Sequence, residues 1–188
     1  AYLAGVEEIV FAGHRPAGYV EAVATAGGSG AVHHAIENYS EVGDGVLTSD
    51  WYWGPYSALC QNIGRRLETY PLFDETLSFN TAAFSKKVTM LLEKQDSLLV
   101  IINTPAHNPT GYSLSDADWD AVLDALKEHA KTGKRISILV DIAYIEYSGT
   151  KDETRAFMEK FADLPANLFI MFAFSMSKAY TFYGQRTG

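Results

Sequence analysis

Short apolar runs and helix-like stretches alternate along this chain, and the alternation leaves few folds open to it. Most of the apolar runs lack the regular polar positions of half-exposed strands, so they are predicted to be strands buried on both faces. The predicted strands are residues 20–25, 45–48, 67–70, 98–102, 136–140 and 168–174. The predicted helices between them are residues 31–39, 55–66, 81–94 and 116–130.

The helix predicted over 116–130 has the clearest local signals. Ser115, with Asp118 three residues later, predicts a capping box at its start, and Gly133 predicts its end. Strands alternating with helices predict an α/β fold, a three-layer αβα sandwich around a mostly parallel sheet with right-handed crossovers. Because ligands of such sheets bind beyond the carboxyl ends of the strands, the loops there are the candidate functional segments.

Composition excludes several classes of protein. With 47% hydrophobic and 20% charged residues the chain can build an ordinary globular core. Its net charge of −8 argues against nucleic acid and anionic membranes as partners. A single cysteine, Cys60, cannot form an internal disulfide, and no apolar run approaches the roughly 18 residues of a membrane span. Residues 1–8 lack the pattern of a secretory signal, so a cytoplasmic location is predicted.

The first candidate loop is the glycine-rich segment 27–31. Closely spaced glycines at a helix start let backbone N–H groups approach an anion, and Ser29 adds a hydroxyl, so a phosphate would fit. The alternative is a flexible turn in which Ser29 caps the helix. Segment 51–56, with four aromatic residues, offers either a stacking surface for a planar ligand or a core cluster. Segment 103–111, rich in turn dipeptides, needs no function to explain it.

The last two candidate loops carry ionisable groups. Asp141 ends a buried strand, where a carboxylate needs a cationic or donating partner, although it could instead cap a helix. Lys178 follows the last strand, and a lysine in a dry cleft can bond covalently to a carbonyl, although an isolated lysine is usually just solvated. An anion-binding turn, an aromatic surface, a carboxylate, an amine and Arg186 together suit a planar cationic aldehyde that bears a phosphate.

At these residues the sequence resembles the fold-type I pyridoxal-phosphate enzymes, and among them the aspartate and aromatic aminotransferases of classes I and II. Five short motifs occur in the family's order: Gly-Gly-Ser-Gly-Ala, Trp-Gly-Pro-Tyr, His-Asn-Pro-Thr-Gly, Asp-x-Ala-Tyr and Ser-x-Ser-Lys, followed by an arginine eight positions past the lysine. The resemblance implies a cofactor, pyridoxal 5'-phosphate, and a reaction that moves an amino group between an amino acid, acidic or aromatic, and a 2-oxo acid. It also implies a homodimer, and it predicts no metal site.

The resemblance assigns a role to each matching residue. Lys178 would hold the cofactor as an internal aldimine and shuttle the proton, Asp141 would pair with the pyridinium nitrogen, and Tyr144 would donate to the ring's phenolic oxygen together with Asn108. Trp53 would stack on the ring, Trp51 would be a packing residue, and His107 would support its neighbours without touching the cofactor. The phosphate would be held by Gly28, Ser29, Ser175 and Arg186, with Ser177 orienting these groups.

Two residues depart from the family pattern. Gly27 stands where aspartate-specific members often have a hydroxyl residue, so one phosphate contact would be missing. Tyr56 stands where many members have a histidine behind the carboxylate, so Asp141 would be supported differently. Neither departure removes a residue that the chemistry needs.

The resemblance also implies that residues 1–188 are the central part of the cofactor-binding large domain, without the N-terminal segment and the C-terminal small domain. Family members continue into an antiparallel strand that returns to the middle of the sheet. A segment without that strand would have two unpaired sheet edges, so alone it is expected to fold poorly.

Three other functions stay open. A C–S lyase or a cyclising lyase could use the same lysine, aspartate and tyrosine. An aminotransferase-like domain fused to a DNA-binding module could act as a ligand-sensing regulator, although no basic helix-turn-helix segment occurs in these residues. A degenerate structural relative is disfavoured because Lys178, Asp141 and Arg186 are all present.

Overall fold

A five-stranded parallel sheet forms the centre of the structure, a computed structural model that describes residues 2–188. Ala1, the first residue of the predicted large-domain segment, lies outside the described residues. The strands are Gly45–Ser49 (β1), Arg66–Tyr70 (β2), Ser97–Asn103 (β3), Arg135–Asp141 (β4) and Leu168–Ala173 (β5). The α-helices are Tyr2–Val10 (α1), Gly27–Asn38 (α2), Pro55–Asn62 (α3), Thr81–Leu92 (α4), Asp116–Ala130 (α5), Lys151–Arg155 (α6) and Met176–Ala179 (α7). Short 3-10 turns cover Ile145–Tyr147, Ala156–Phe161 and Tyr183–Gln185.

The strand order is β2-β1-β3-β4-β5. The chain first moves outward from β1 to β2 and then returns to the other side of β1 for β3, β4 and β5. In parallel sheets such a reversal leaves a crevice at the carboxyl ends of the strands, where loops diverge to opposite sides. The loops after β1, β3, β4 and β5 all reach this edge.

Alternate residues of the central strands enter two separate cores. In β3, Leu98, Val100 and Ile102 pack into one core, while Leu99 and Ile101 pack into the other. The first core includes apolar residues of α4 and α5, and the second includes those of α2 and α3. Helices therefore cover both faces, and the predicted three-layer αβα sandwich is confirmed.

Predicted burial on both faces is confirmed for the inner strands and wrong for the two edges. Every residue of β1 and β3 is buried, and so is every residue of β4 after Arg135. Most residues of β2 and β5 are partly accessible, because each has a neighbouring strand on one side only.

The strand predicted over residues 20–25 is wrong: this segment forms no regular secondary structure and joins no strand of the sheet, although Thr25 exchanges two backbone hydrogen bonds with Gly188. Its sequence has β-branched residues, yet a strand exists only through hydrogen bonds to a neighbour. Helix boundaries differ as well. The predicted helix 55–66 ends at Asn62, because Gly64 turns left-handed with φ +75° and Arg66 starts β2. The predicted helix 31–39 starts earlier, at Gly27.

The capping box predicted at Ser115 and Asp118 is confirmed, with each side chain accepting a hydrogen bond from the other residue's backbone N–H. Within residues 2–188, none of the helices has both the length and the apolar character that crossing a membrane requires.

Candidate functional site

A cavity of about 350 Å³ lies at the carboxyl edge of the sheet, within the size range of small-molecule sites. Loops after β1, β3, β4 and β5 contribute to its wall, as does the start of α2. All ten residues predicted for the site line it: Gly28, Ser29, Trp53, Asn108, Asp141, Tyr144, Ser175, Ser177, Lys178 and Arg186. Five further residues also line it: Ala26, Gly27, Asn103, Ala143 and Tyr183. Gly27, Asn103 and Ala143 belong to segments that the sequence indicated, whereas Ala26 and Tyr183 do not.

One end of the cavity is formed by the first turn of α2. Gly27 begins the helix at φ +70°, and the N–H groups of a first helical turn have no partner inside the helix. Gly28 lies so close to Ser175 that a Cβ at position 28 would come within 3.2 Å of the Ser175 Cβ. The alternative in which Ser29 caps this helix is wrong, because Ala26 is the cap residue and Ser29 lies inside the first turn.

Arg186 supplies positive charge at the same end. It has a left-handed backbone with φ +48°, and Thr187 beside it forms an antiparallel bridge with Ala26, directly before α2. Among the described residues no carboxylate lies within ion-pair distance of its guanidinium. A helix start, the hydroxyls of Ser29 and Ser175, and a guanidinium without a carboxylate partner form a donor set suited to an anion.

Asp141, the last residue of β4, places a carboxylate on the cavity wall, and it is only 7% exposed. Its Oδ2 accepts a hydrogen bond from the Tyr56 phenol at 2.5 Å, and its Oδ1 accepts one from the Ala143 N–H at 3.2 Å. Burial raises the pKa of Asp141, and these two hydrogen bonds oppose that rise. No cationic side chain in residues 2–188 pairs with the carboxylate. It therefore suits a ligand that carries a positive or donating group.

Tyr56 is a permanent donor to this carboxylate. It is fully buried, and burial, followed by the nearby charge of Asp141, raises the pKa of its phenol well above the ordinary value. The helix-cap alternative for Asp141 is wrong, because Asp141 belongs to the strand and the residue before the turn Ile145–Tyr147 is Tyr144.

Asn103, the last residue of β3, connects Asp141 to the loop that follows β3. Its amide Nδ2 donates to the main-chain oxygen of Asp141 at 2.8 Å, and its Oδ1 accepts from the Asn108 N–H at 2.6 Å. Asn108 in turn donates from Nδ2 to the Tyr144 hydroxyl at 3.4 Å. A polar residue at the end of an apolar strand is the signal that identified Asp141, and the same signal would have found Asn103.

Lys178 lies in α7, directly after β5, between two tyrosine rings. Its Nζ is 5.0 Å from the centre of the Tyr183 ring and 5.8 Å from the centre of the Tyr144 ring. Ser175 and Ser177, just before it, are buried. No periodicity or turn signal in the sequence pointed to Tyr183. The amine thus lies near two aromatic rings on the cavity wall, a position in which it can meet a bound carbonyl compound.

The aromatic segment 51–56 is divided between the core and the site. Trp53 lines the cavity and meets the Tyr56 ring edge-on, with 5.5 Å between ring centres. Trp51 is 55% exposed, so its prediction as a packing residue is wrong. His107 is buried outside the cavity wall, where its Nδ1 is 2.8 Å from the Thr110 hydroxyl and burial lowers its pKa.

Comparison with known proteins gives one family. The family model described as aminotransferase class I and II matches residues 11–188. Tyrosine aminotransferase of Klebsiella pneumoniae is 29% identical over 172 residues, which are 90% of this chain and 41% of that protein. Aspartate aminotransferase of Pseudomonas aeruginosa is 28% identical over 194 residues, covering all of this chain and 46% of that protein.

Solved structures agree with the sequence comparison. An aminotransferase from Anaerococcus prevotii superposes with a TM-score of 0.95 at 43% identity, over 97% of this chain and 45% of that one. An aromatic-amino-acid aminotransferase from Burkholderia pseudomallei, covalently bound to pyridoxal phosphate, gives a TM-score of 0.78 at 27% identity, over 100% of this chain and 46% of that one. The chain spans less than half the length of these relatives.

Proposed function

The chain belongs to the class I and II aminotransferase family, and from this membership we propose that the protein is a pyridoxal-phosphate-dependent aminotransferase. It would move an amino group between an amino acid and a 2-oxo acid, in amino acid metabolism. The observation that carries the proposal is the cavity in which an amine, a buried carboxylate and an anion-binding end face one another, at Lys178, Asp141 and Arg186.

The residues present fit this cofactor. Its phosphate matches the end formed by the α2 N-terminus, and the close approach of Gly28 to Ser175 leaves no room for a side chain there. Its ring nitrogen matches Asp141, a buried carboxylate on the cavity wall with which no cationic side chain of residues 2–188 forms an ion pair. We therefore assign the phosphate to Gly28, Ser29, Ser175 and Arg186, with Ser177 behind them. The ring is assigned to Asp141, Tyr144, Asn108 and Trp53.

Pyridoxal phosphate supplies an aldehyde that captures amines and a pyridine ring that withdraws electrons when it is protonated. Asp141 would keep that proton on the ring nitrogen, and Tyr56 and Ala143 would hold the carboxylate in the orientation required. Tyr144 and Asn108 would donate to the ring's phenolic oxygen. Lys178 Nζ would bind the aldehyde and, once released, carry a proton to and from the substrate α-carbon.

We propose acidic or aromatic amino acids as the substrate class. Support comes from the names of the relatives, which are tyrosine, aromatic-amino-acid and aspartate aminotransferases. We further propose that residues 1–188 are the central part of the cofactor-binding large domain, and that the protein acts as a cytoplasmic homodimer. Sedimentation of the full-length protein tests the last point, since a monomer would contradict it.

Absorbance of the full-length protein tests the activity. With pyridoxal phosphate we expect a visible band that bleaches when aspartate or tyrosine is added and returns when a 2-oxo acid is added. Lys178→Ala should remove the band and the turnover, whereas Lys94→Ala, at an exposed lysine away from the cavity, should change neither. A visible band that no amino acid bleaches would overturn the proposal, and release of pyruvate and ammonia from one amino acid alone would indicate a lyase.

A further inference from the structure

Tyr147 makes the closest polar contact with the main chain of Lys178. Its hydroxyl donates to the main-chain oxygen of Lys178 at 2.6 Å. The only other backbone hydrogen bond of Lys178 within residues 2–188 runs from its N–H to the Ser175 oxygen and is 3.3 Å long. The Tyr147 ring itself is 61% exposed, so its hydroxyl contact is not a by-product of dense packing.

The position of Lys178 depends on this contact because its helix is so short. The helix α7 has four residues, and the last four carbonyl groups of any helix have no partner inside it. The oxygen of Lys178 is one of these groups. Tyr147 therefore provides a donor that the helix cannot, and it fixes the peptide from which the amine-bearing side chain extends.

The turn that carries Tyr147 is itself anchored to the core. Glu146, beside Tyr147, forms an ion pair with Arg155, whose side chain is completely buried. Arg155 also donates to the main-chain oxygens of Ile9 and Val10, at the end of α1. The turn Ile145–Tyr147 is thus held by a buried guanidinium, and a shift of the turn away from Lys178 would strain the ion pair of Glu146 with Arg155.

We propose that Tyr147 is a positioning residue for Lys178. Its hydroxyl holds the Lys178 peptide so that Nζ is directed between the rings of Tyr144 and Tyr183 toward the cavity. The assignment rests on the proposed function, in which Lys178 is the amine that binds the cofactor. Tyr147 does not line the cavity, and its ring lies beside that of Tyr144, with 6.4 Å between ring centres. Its hydroxyl contacts Lys178, so a change that removes only the hydroxyl is expected to act through Lys178.

The test uses Tyr147→Phe in the full-length protein, which keeps the exposed ring and removes only the hydroxyl. After pyridoxal phosphate is added to apoprotein, we expect the Lys178-dependent visible band to develop about 3- to 10-fold more slowly than in wild type, the effect of one lost hydrogen bond. Turnover should show kcat reduced by a similar factor and KM changed less than about 2-fold. Tyr39→Phe, the same change at a partly exposed tyrosine far from Lys178 in the fold, should match wild type in both measurements.

The same substitution in the Lys178→Ala variant distinguishes an effect on the position of Lys178 from a general effect on cofactor binding. In Lys178→Ala, which can bind the cofactor only non-covalently, adding Tyr147→Phe should leave the dissociation constant unchanged within about 2-fold. An equal loss of affinity in both backgrounds would overturn the proposal, and so would a Tyr147→Phe variant whose band develops at the wild-type rate. The thermal midpoint of each variant verifies that it is folded. Absence of any Lys178-dependent band in wild type would instead contradict the proposed function itself.

Discussion

The Tyr56 phenol donates a hydrogen bond to the Asp141 carboxylate at 2.5 Å, across 85 residues of sequence. Both groups are buried, and burial raises the pKa of each. The phenol therefore remains a donor at any physiological pH and favours the ionised form of the carboxylate. In the proposed enzyme this contact keeps Asp141 charged opposite the ring nitrogen.

Tyr56→Phe is expected to weaken catalysis more at acidic than at alkaline pH. Without the donor the pKa of Asp141 rises further, so a larger fraction of the carboxyl is protonated and cannot pair with a cation. Loss of one hydrogen bond to a charged group corresponds to about a 10-fold decrease in kcat/KM, with the acid limb of the pH profile moved to higher pH. Tyr70→Phe, at a buried tyrosine that does not line the cavity, serves as the control. Identical pH profiles for Tyr56→Phe and wild type would contradict the assignment.

Asp141→Asn is expected to stabilise the apoprotein while abolishing activity. The pKa of Asp141 is raised in the folded state, so the folded protein binds a proton more tightly than the unfolded chain does. The cost of the buried charge is absent below the ordinary pKa of 3.8 and grows as the pH rises above it. Removing the charge should raise the free energy of unfolding at pH 7 by about 1–2 kcal/mol, with the gain disappearing near pH 4. Thermal unfolding at both pH values measures this, and equal destabilisation at both would count against it.

Gly28→Ala is expected to reduce cofactor affinity by about 10-fold or more with little change in stability, because the new Cβ would crowd the Ser175 Cβ at 3.2 Å in the anion-binding end. Gly30→Ala is a matched control in the same helix. Its Cβ would meet Ala26 at 3.3 Å, yet position 30 does not line the cavity. Equilibrium dialysis with pyridoxal phosphate compares the two variants, and equal affinities would show that the close approach of Gly28 has no binding role.

The sequence predicts an element well when the residues of that element alone determine its structure. The strands β3 and β4 were predictable because a long apolar run is buried wherever it forms a central strand. The segment 20–25 also contains β-branched residues, but whether it pairs depends on a neighbouring strand that no local pattern reveals. The sequence does not predict the end of α3, because a glycine can also lie within a helix and only the structure shows that Gly64 turns the chain.

For the site, motif order identified the ten lining residues, but not the contacts that hold them. Asn103 contacts Asp141, 38 residues further along the chain, and Tyr147 contacts Lys178, 31 residues further along. Such contacts follow from the register of neighbouring strands and the loops after them. The local sequence pattern around each residue therefore does not predict these long-range hydrogen bonds.

Trp119→Ala is expected to destabilise the protein by about 3–5 kcal/mol, because it empties the centre of the core beneath α5. Trp119 is fully buried and stacks on Phe157, with ring centres 5.2 Å apart and an interplanar angle of 2°. Trp51→Ala, at the exposed tryptophan, should change stability by no more than about 0.5 kcal/mol. Denaturant unfolding followed by circular dichroism compares them, and similar losses in both variants would contradict the assigned core.

His14 is expected to make stability depend on pH near neutrality. Its Nδ1 lies 2.5 Å from Glu159 and its Nε2 lies 2.8 Å from Asp152, and only the protonated imidazole can donate from both nitrogens. Hydrogen bonding, first to Glu159 and then to Asp152, raises the pKa of His14 above 6.5. Its stabilising effect is therefore complete below pH 6.5 and is lost as the pH rises through the raised pKa.

The thermal midpoint of wild type should accordingly fall between pH 6 and pH 9 by more than that of His14→Gln, whose amide does not titrate. His34→Gln, at an exposed histidine of α2 whose ring contacts no carboxylate in the described structure, should retain the wild-type slope. If His14→Gln and wild type lose the same number of degrees over this range, the imidazole between Asp152 and Glu159 is not the titrating contact. The loss would then have to come from another group that titrates in the same window.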